Sequence, residues 1–385
     1  MNSQPMLDRE QIIQDSYIPP PDVDSTRPWS LRRRIVGRIL KFFFGRPQEQ
    51  PKLKPEELRR VLLIRHDRLG DYIITTPILE TLKRYAPQAE IDVLGSKFNA
   101  GVIGSDPRVS KLILWGDSFR ERLKAVRLCR SRDYDATFQL VTRHTTLPII
   151  IAGLTTPRGR VVGRGHRYNR WLFDHRLTAF PSKHLAEQTF AIFTHGIDFG
   201  REVPTMPPYS LLLDESLERE TERELEEMGL RKGEFILLNL SASEEYRTLR
   251  TERAIELAQM LNRTFGKSGL KIAVTGAPDE KEKIEEVAHK GNATVMRFPS
   301  ILKASAAIRR ARLLISPDTG SVHIASAVGT PVVAYYAEFL KPAMWRPLEV
   351  PHKVVIGEVN DDSDSISLEE IVQAVTEMLS ADTAR

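Results

Sequence analysis

One cysteine, Cys129, stands in 385 residues. A disulfide within the chain needs two thiols and a cysteine-based metal cluster needs more, so both are excluded. That scarcity suits a reducing compartment. Leu128 and Arg130 place Cys129 in a helix-like run, which predicts a half-buried, inert thiol rather than a nucleophile. Long apolar runs are also missing. The longest charge-free one, Leu147 to Leu154, falls far short of the roughly 20 residues that span a bilayer. The start, Met-Asn-Ser-Gln-Pro, turns acidic and lacks the basic and apolar regions of a secretory signal. The expected location is therefore the cytoplasm. Charge of one sign is scarce as well: 56 Lys+Arg against 51 Asp+Glu leave +5. Such a balance suits an enzyme handling phosphates or an anionic membrane surface as well as a nucleic-acid binder. No basic–aromatic repeat interleaves the chain, so nucleic acid is not the expected partner.

What is present is the composition of an ordinary globular protein, with 41% hydrophobic and 28% charged residues. Residues 1–27 are polar and carry Pro19, Pro20 and Pro21, a disordered arm by composition. Residues 28–58 hold a basic stretch and a proline-bearing linker. On a helix, Leu31, Ile35, Ile39 and Phe43 form one stripe, with Arg34, Arg38 and Lys41 opposite. Residues 29–46 thus suit an anionic leaflet, or equally a helix packed on the protein with solvated arginines.

From Arg60 the chain alternates strands and helices. Val61–Ile64 is a continuously apolar run, as a strand buried on both faces requires. A loop with Gly70, a helix through Ile78, Leu79, Leu82 and Tyr85, and strands at Ile91–Leu94, Lys111–Trp115 and Ala136–Leu140 follow. A second cycle has strands at Phe235–Leu240, Lys271–Thr275, Ala311–Ser316 and Pro331–Tyr335, and Ser367–Leu379 closes as a helix. The pattern predicts an α/β protein of two Rossmann-like doubly wound domains, residues 59–205 and 206–385, facing each other across a cleft.

Two motifs carry chemistry. In Ile315-Ser-Pro-Asp-Thr-Gly-Ser-Val-His-Ile-Ala, a strand ends and a small-residue helix starts at once. Helix-end amides there favour an anion. Gly320 lets backbone approach a phosphate, Thr319 adds a hydroxyl, and His323 lies one turn in. Helix capping by Asp318 or Thr319 is the bland reading, but it has no need of Gly320 and His323. In Arg65-His-Asp-Arg-Leu-Gly-Asp71, Gly70 sets a turn and Asp71 opens a helix. Its carboxylate can take a hydroxyl proton, with Asp67 as rival and an N-cap as the plain alternative. The loop is not Gly-x-Gly-x-x-Gly, which argues against a dinucleotide.

Val61 to Pro77, Ile91 to Asn99, Arg160 to Arg176 and above all Ser316-Pro-Asp-Thr-Gly-Ser-Val-His323, in this order, resemble glycosyltransferase family 9, the heptosyltransferases of lipopolysaccharide core synthesis. The resemblance runs over residues 59–350. It implies a GT-B fold, the acceptor in the N-terminal domain, a nucleotide-diphosphate sugar (ADP-heptose) in the C-terminal one, and inversion without a metal or other cofactor. It makes Asp71 the general base, and Asp318, Thr319, Gly320 and His323 the holders of donor sugar and diphosphate. A departure is that Arg247 stands where the family has a phosphate-binding lysine; arginine keeps the charge with another geometry. Gly276-Ala-Pro-Asp-Glu280 is similar to the family's loop near the nucleoside, so Asp279 or Glu280 meets the ribose, unless this is an acidic helix start. Arg143, Arg158, Arg160, Arg164 and Arg167 form a basic patch for the acceptor's acidic groups or simply a basic loop. Asp133-x-Asp135 and Asp362-x-Asp364 spell a metal pattern but fall at turns, and read as solvated. A nucleotide-sugar epimerase of the same architecture, and a silent nucleotide-sugar or membrane-surface binding protein, are the alternatives.

Overall fold

The computed structural model describes residues 41–42, 45–46, 50–141, 147–164, 170–180 and 182–383. These part into two compact units between Pro207 and Pro208.

The N-terminal unit is built on a six-stranded sheet. Its strands are β1 (Arg60–Ile64), β2 (Glu90–Gly95), β3 (Lys111–Leu114), β4 (Ala136–Gln139), β5 (Arg160–Arg164) and β6 (His175–Leu177). They lie in the order β3-β2-β1-β4-β5-β6, with every described pair parallel. Val61 to Ile64 are fully buried, because helices cover both faces of such a sheet. The helices are α1 (Leu69–Ile73), α2 (Thr76–Tyr85), α3 (Ala100–Ile103), α4 (Phe119–Arg132), α5 (Leu147–Thr155) and α6 (Leu185–Gly196). Ser118 starts α4 by a capping box, its hydroxyl meeting the Glu121 amide while the Glu121 carboxylate reaches back. Gly159 lies where a Cβ would stand 1.9 Å from the Tyr134 carbonyl, so the turn into β5 admits no side chain.

The C-terminal unit repeats the plan. Its strands are β7 (Phe235–Asn239), β8 (Lys271–Thr275), β9 (Thr294–Val295), β10 (Leu313–Pro317), β11 (Val332–Tyr336) and β12 (His352–Ile356), ordered β12-β11-β10-β7-β8-β9, again parallel throughout the described pairs. Around them run α7 (Glu215–Glu227), α8 (Thr251–Phe265), α9 (Lys281–Gly291), α10 (Ile301–Arg310), α11 (Gly320–Val328), α12 (Lys341–Trp345) and α13 (Leu368–Thr383). Each sheet, numbered within its own unit, has the order 3-2-1-4-5-6, with the reversal between its first and fourth strands. Ligands of open α/β sheets bind outside the carboxyl ends of strands at such a reversal.

Several expectations are corrected. Arg160 and Arg164 do not sit in a basic loop but bound β5, whose Val161 and Val162 are buried. Cys129 is fully rather than half buried, inside the cluster of Leu62, Ile64, Leu94 and Ile151. Asp135 is no solvated turn residue: its carboxylate accepts the Arg59 and Arg60 amides at 2.7 and 2.8 Å. Asp364 likewise accepts the Arg250 amide at 3.1 Å and pairs with that residue's guanidinium. Gly70 sets no turn ahead of a helix; it is the second residue of α1. Most of the basic stretch 29–46 lies outside the described residues. Its last residue, Arg46, is pinned to the N-terminal unit, donating to the Gly159 carbonyl at 2.6 Å and the Asp174 carboxylate at 2.7 Å.

Candidate functional site

In the N-terminal unit, the loop leaving β1 is organised by one buried cation. Arg65, fully buried, donates from Nε to the Asp71 carbonyl at 2.7 Å. Its Nη1 reaches the Leu140 carbonyl just beyond β4 and the Asp67 carboxylate at 3.3 Å. Arg65 therefore bridges the two strands at which the order reverses. Its Nη2 stands 3.9 Å from Asp71 Oδ1.

Asp71 is the third residue of α1, and its Oδ2 accepts the Arg68 amide at 3.2 Å. This is the reach-back of a capping box, and it leaves Oδ1 facing Arg65. Tyr72 anchors the same turn, donating to the Asp106 carboxylate at 3.0 Å, which in turn takes 2.7 and 2.9 Å bonds from Arg108. Ser96 and Asn99, following β2, brace the loop through the Asp67 and Arg65 carbonyls at 2.8 Å each. Burial, with the Arg65 and Arg122 guanidiniums beside it, pushes the His66 imidazole down to about 4.

Arg164, at the carboxyl end of β5, donates to Gln188 at 3.3 Å and lies over the Phe180 ring, 4.8 Å from its centre. It shares with Asp71 the carboxyl edge of this sheet. Arg143 and Arg167 lie outside the described residues.

In the C-terminal unit the loops after β7, β8, β10 and β11 meet. Thr319 is the N-cap of α11 in an extended conformation, and among the described residues its hydroxyl makes no capping bond. Gly320 follows as the first helical residue. The plain capping role thus fails for Thr319, whose hydroxyl stays available at the helix's positive end. Beside the preceding residue, Asp318, stands Arg247. Its Nη1 is 3.6 Å from Asp318 Oδ2, while Nε and Nη2 meet Glu338 Oε1 at 3.1 and 2.6 Å. The Tyr246 hydroxyl donates to the same Glu338 oxygen at 2.8 Å, and Lys341 Nζ is 3.5 Å from its other oxygen.

The two carboxylates share the arginine unequally. Burial raises the Asp318 carboxyl, against the weaker opposing pulls of Arg247, 3.6 Å away, and Lys341. Glu338 is also opposed by burial, yet Tyr246, Lys341 and Arg247 together hold it below the usual carboxylate range. For Arg247, burial disfavours the charge, but Asp318, Tyr246 and Glu338 outweigh it. Two cations and two anions make the cluster formally neutral.

Behind it, Asn239 at the end of β7 donates to Ser316 in β10 at 3.1 Å, and Ser241 binds the Glu280 carboxylate while accepting the Ala277 amide at 2.6 Å. Glu280 is therefore joined to the switch-point loops. Asp279 lies beside it in a 3₁₀ turn, Pro278–Glu280. His323 is buried in α11, its ring 5.3 Å from Trp345 and 6.4 Å from Tyr209. Sequence reasoning missed Glu338, Lys341 and Tyr246. Glu338 and Arg247 are 91 residues apart, and no spacing signals that pairing. The buried Arg65 could have been found, since an arginine ending an apolar strand must have partners.

Residues 122–371 match the family described as Glycosyltransferase family 9 (heptosyltransferase). The chain is 25% identical over 301 residues to lipopolysaccharide heptosyltransferase 3 of Escherichia coli K12, covering 72% of this chain and 82% of that protein. Among solved structures it is similar to a family 9 glycosyl transferase from Veillonella parvula (TM-score 0.69, 19% identity, 83% of this chain and 97% of that one). It is also similar to the E. coli heptosyltransferase WaaC solved with ADP (TM-score 0.64, 18% identity, 83% and 99%). These likenesses, with the two six-stranded parallel sheets, give the GT-B fold. The chain belongs to glycosyltransferase family 9, and it is a glycosyltransferase.

Proposed function

We propose that the protein transfers heptose from ADP-heptose to a lipopolysaccharide-core or related glycolipid acceptor, with inversion and without a metal. The observation that carries this reading is Arg247, held by Asp318 beside the uncapped Thr319–Gly320 start of α11. A guanidinium, helix amides and a hydroxyl together form a diphosphate cradle.

The reaction is a single displacement. The acceptor oxygen bonds to the anomeric carbon, its proton passes to Asp71, and the carbon–oxygen bond to the diphosphate breaks with its electron pair leaving on ADP. Arg247, Lys341, the Thr319 hydroxyl and the Gly320 amide stabilise that growing charge, the task a metal ion performs elsewhere. His323, one turn into α11 with Tyr209 and Trp345 beside its ring, completes the set that holds donor sugar and diphosphate. Asp279 and Glu280 serve the ribose. Arg164, with Arg143 and Arg167, serves acidic groups of the acceptor. Among the described residues no helix is long and apolar enough to cross a membrane; the proposed location is cytoplasmic, peripheral on the membrane through residues 29–46.

Mass spectrometry of products from ADP-heptose and a lipopolysaccharide-core acceptor tests the reading. Asp71→Asn is expected to lower turnover by about 10²–10⁴-fold, the range for a lost general base, with ADP binding by calorimetry unchanged. Unchanged turnover removes Asp71 from the role. Conversion of donor without acceptor would point to an epimerase instead.

A further inference from the structure

We infer that the exposed face of α4, with the tips of the two loops beside it, docks on an anionic lipid leaflet. Helix α4 buries Ala125, Val126 and Cys129. Its outer face presents Arg120, Leu123, Lys124, Arg127 and Arg130, all exposed. The other two arginines of the helix are in use: Arg122 donates to the Gly116 carbonyl at 2.9 Å, and Arg132 to the buried Asp92 carboxylate at 2.8 Å. Among the described residues the four outer cations have no ion pair. The acids nearest the helix start are engaged, Glu121 in capping Ser118 and Asp117 with Lys97 at 2.9 Å.

Large apolar side chains stand beside this charge. Phe119 is 79% exposed, Phe98 68% and Leu114 52%. The Lys97–Asp117 pair ties the Phe98 loop to the start of α4, and Lys97 lies over the Phe98 ring at 5.4 Å. Aromatic tips beside the unpaired cations of α4 suit a headgroup layer, where rings enter the acyl boundary and cations meet lipid phosphates. The Lys97–Asp117 pair holds the two phenylalanine-bearing tips on one edge of the unit rather than scattered singly.

The position adds to the argument. Strand β3 is the sheet edge, β2 lies next, and β1 bears the Asp71 loop. All three run parallel, so Phe98, Phe119 and Asp71 follow carboxyl ends on one side of the unit. Ser96, two residues before Phe98, is bonded to the Asp67 carbonyl. A lipid-linked acceptor keeps its acyl chains in the leaflet while its sugar reaches Asp71, and docking through α4 brings that edge to the membrane. This last step rests on the proposed transfer reaction; the docking itself does not.

The test uses the full chain and sedimentation with vesicles of phosphatidylglycerol and phosphatidylethanolamine. Each cation near an anionic leaflet strengthens binding about fivefold, so combining Arg120→Gln, Lys124→Gln and Arg127→Gln is expected to weaken it about a hundredfold. Phe98→Ser with Phe119→Ser is expected to weaken it as well, and circular dichroism verifies that both variants fold. Wild-type binding by both variants overturns the inference, whether residues 29–46 carry the contact or vesicles are not bound at all. Heptose transfer separates the two readings. With a delipidated, water-soluble core acceptor the variants keep the wild-type rate, and with vesicle-embedded acceptor they lose it. No transfer to either acceptor refutes the proposed reaction and leaves the vesicle result standing.

Discussion

Removing the Glu338 charge is expected to tighten nucleotide-diphosphate binding, contrary to the usual effect of a mutation in a binding site. Nε and Nη2 of Arg247, the guanidinium edge suited to a phosphate, both point at Glu338 Oε1. A diphosphate must break that contact to take their place. Exposed ion pairs contribute about 0.2–1 kcal/mol, and breaking a buried one costs about 3–5 kcal/mol. The Arg247 and Glu338 side chains are 16% and 22% exposed, which places the pair between these limits, at about 1–2 kcal/mol. Glu338→Gln keeps the size, retains an acceptor for Tyr246, and removes the carboxylate charge from Lys341 and from the Nε–Nη2 edge of Arg247, which keeps Asp318 at 3.6 Å. Calorimetry with ADP at fixed ionic strength is expected to show affinity higher by about 5–30-fold. Raising the salt weakens binding to the variant more, since Glu338 no longer offsets the charges of Arg247 and Lys341. Arg247→Ala, by contrast, leaves Asp318 and Glu338 without their shared cation and weakens ADP binding. Unchanged or weaker binding by Glu338→Gln refutes the competition, and a weaker result makes Glu338 a ligand of the nucleotide.

Two further outcomes follow from burial. His66 is held near 4 when folded and returns to about 6.5 when unfolded. The unfolded chain therefore binds the extra proton, and the stability is whole above pH 6.5 and lost as pH falls toward 4, by at most about 3 kcal/mol. Melting temperatures from pH 4 to 7 are expected to fall less steeply for His66→Gln; an identical acid limb refutes this. Burial, and Asp92 nearby, push the Cys129 thiol up to about 12. Ellman's reagent is expected to find no reactive thiol in the native protein and one after denaturation, whereas rapid native labelling contradicts the packing.

The strands the sequence reveals are those with uninterrupted apolar runs, such as Val61–Ile64 and Phe235–Leu238, buried on both faces. Strand β5 escapes notice because arginines stand at its ends and Gly163 cuts its apolar run to two valines. Strands β6 and β9 have three and two residues, too few for any periodicity. His352 and Lys353 disguise β12, an edge strand whose side chains are partly in water. For the site the same division holds. Gly320 beside small helical residues is a local signal, so the Asp318–His323 loop is legible. The partners that set its charge come from other loops: Glu338 and Lys341 follow β11, and only the parallel order β11-β10-β7 brings them to Arg247. Asp71 is visible from its motif, whereas the support from Tyr72, Asp106 and Arg108 depends on packing after α3.

Parallel pairing throughout the described strands has a kinetic consequence. Antiparallel strands can zip from a two-residue turn, but parallel neighbours must wait for the crossover between them to close. Among the described residues neither half has a local hairpin to start from, so condensation depends on contacts distant in sequence, the circumstance that slows folding and lengthens the exposure of unpaired edges. During synthesis residues up to 207 emerge with all six strands of their own sheet, and can close it before the later half is made. Refolding of the diluted, denatured chain is accordingly expected to be slower and more prone to aggregation than its folding on the ribosome.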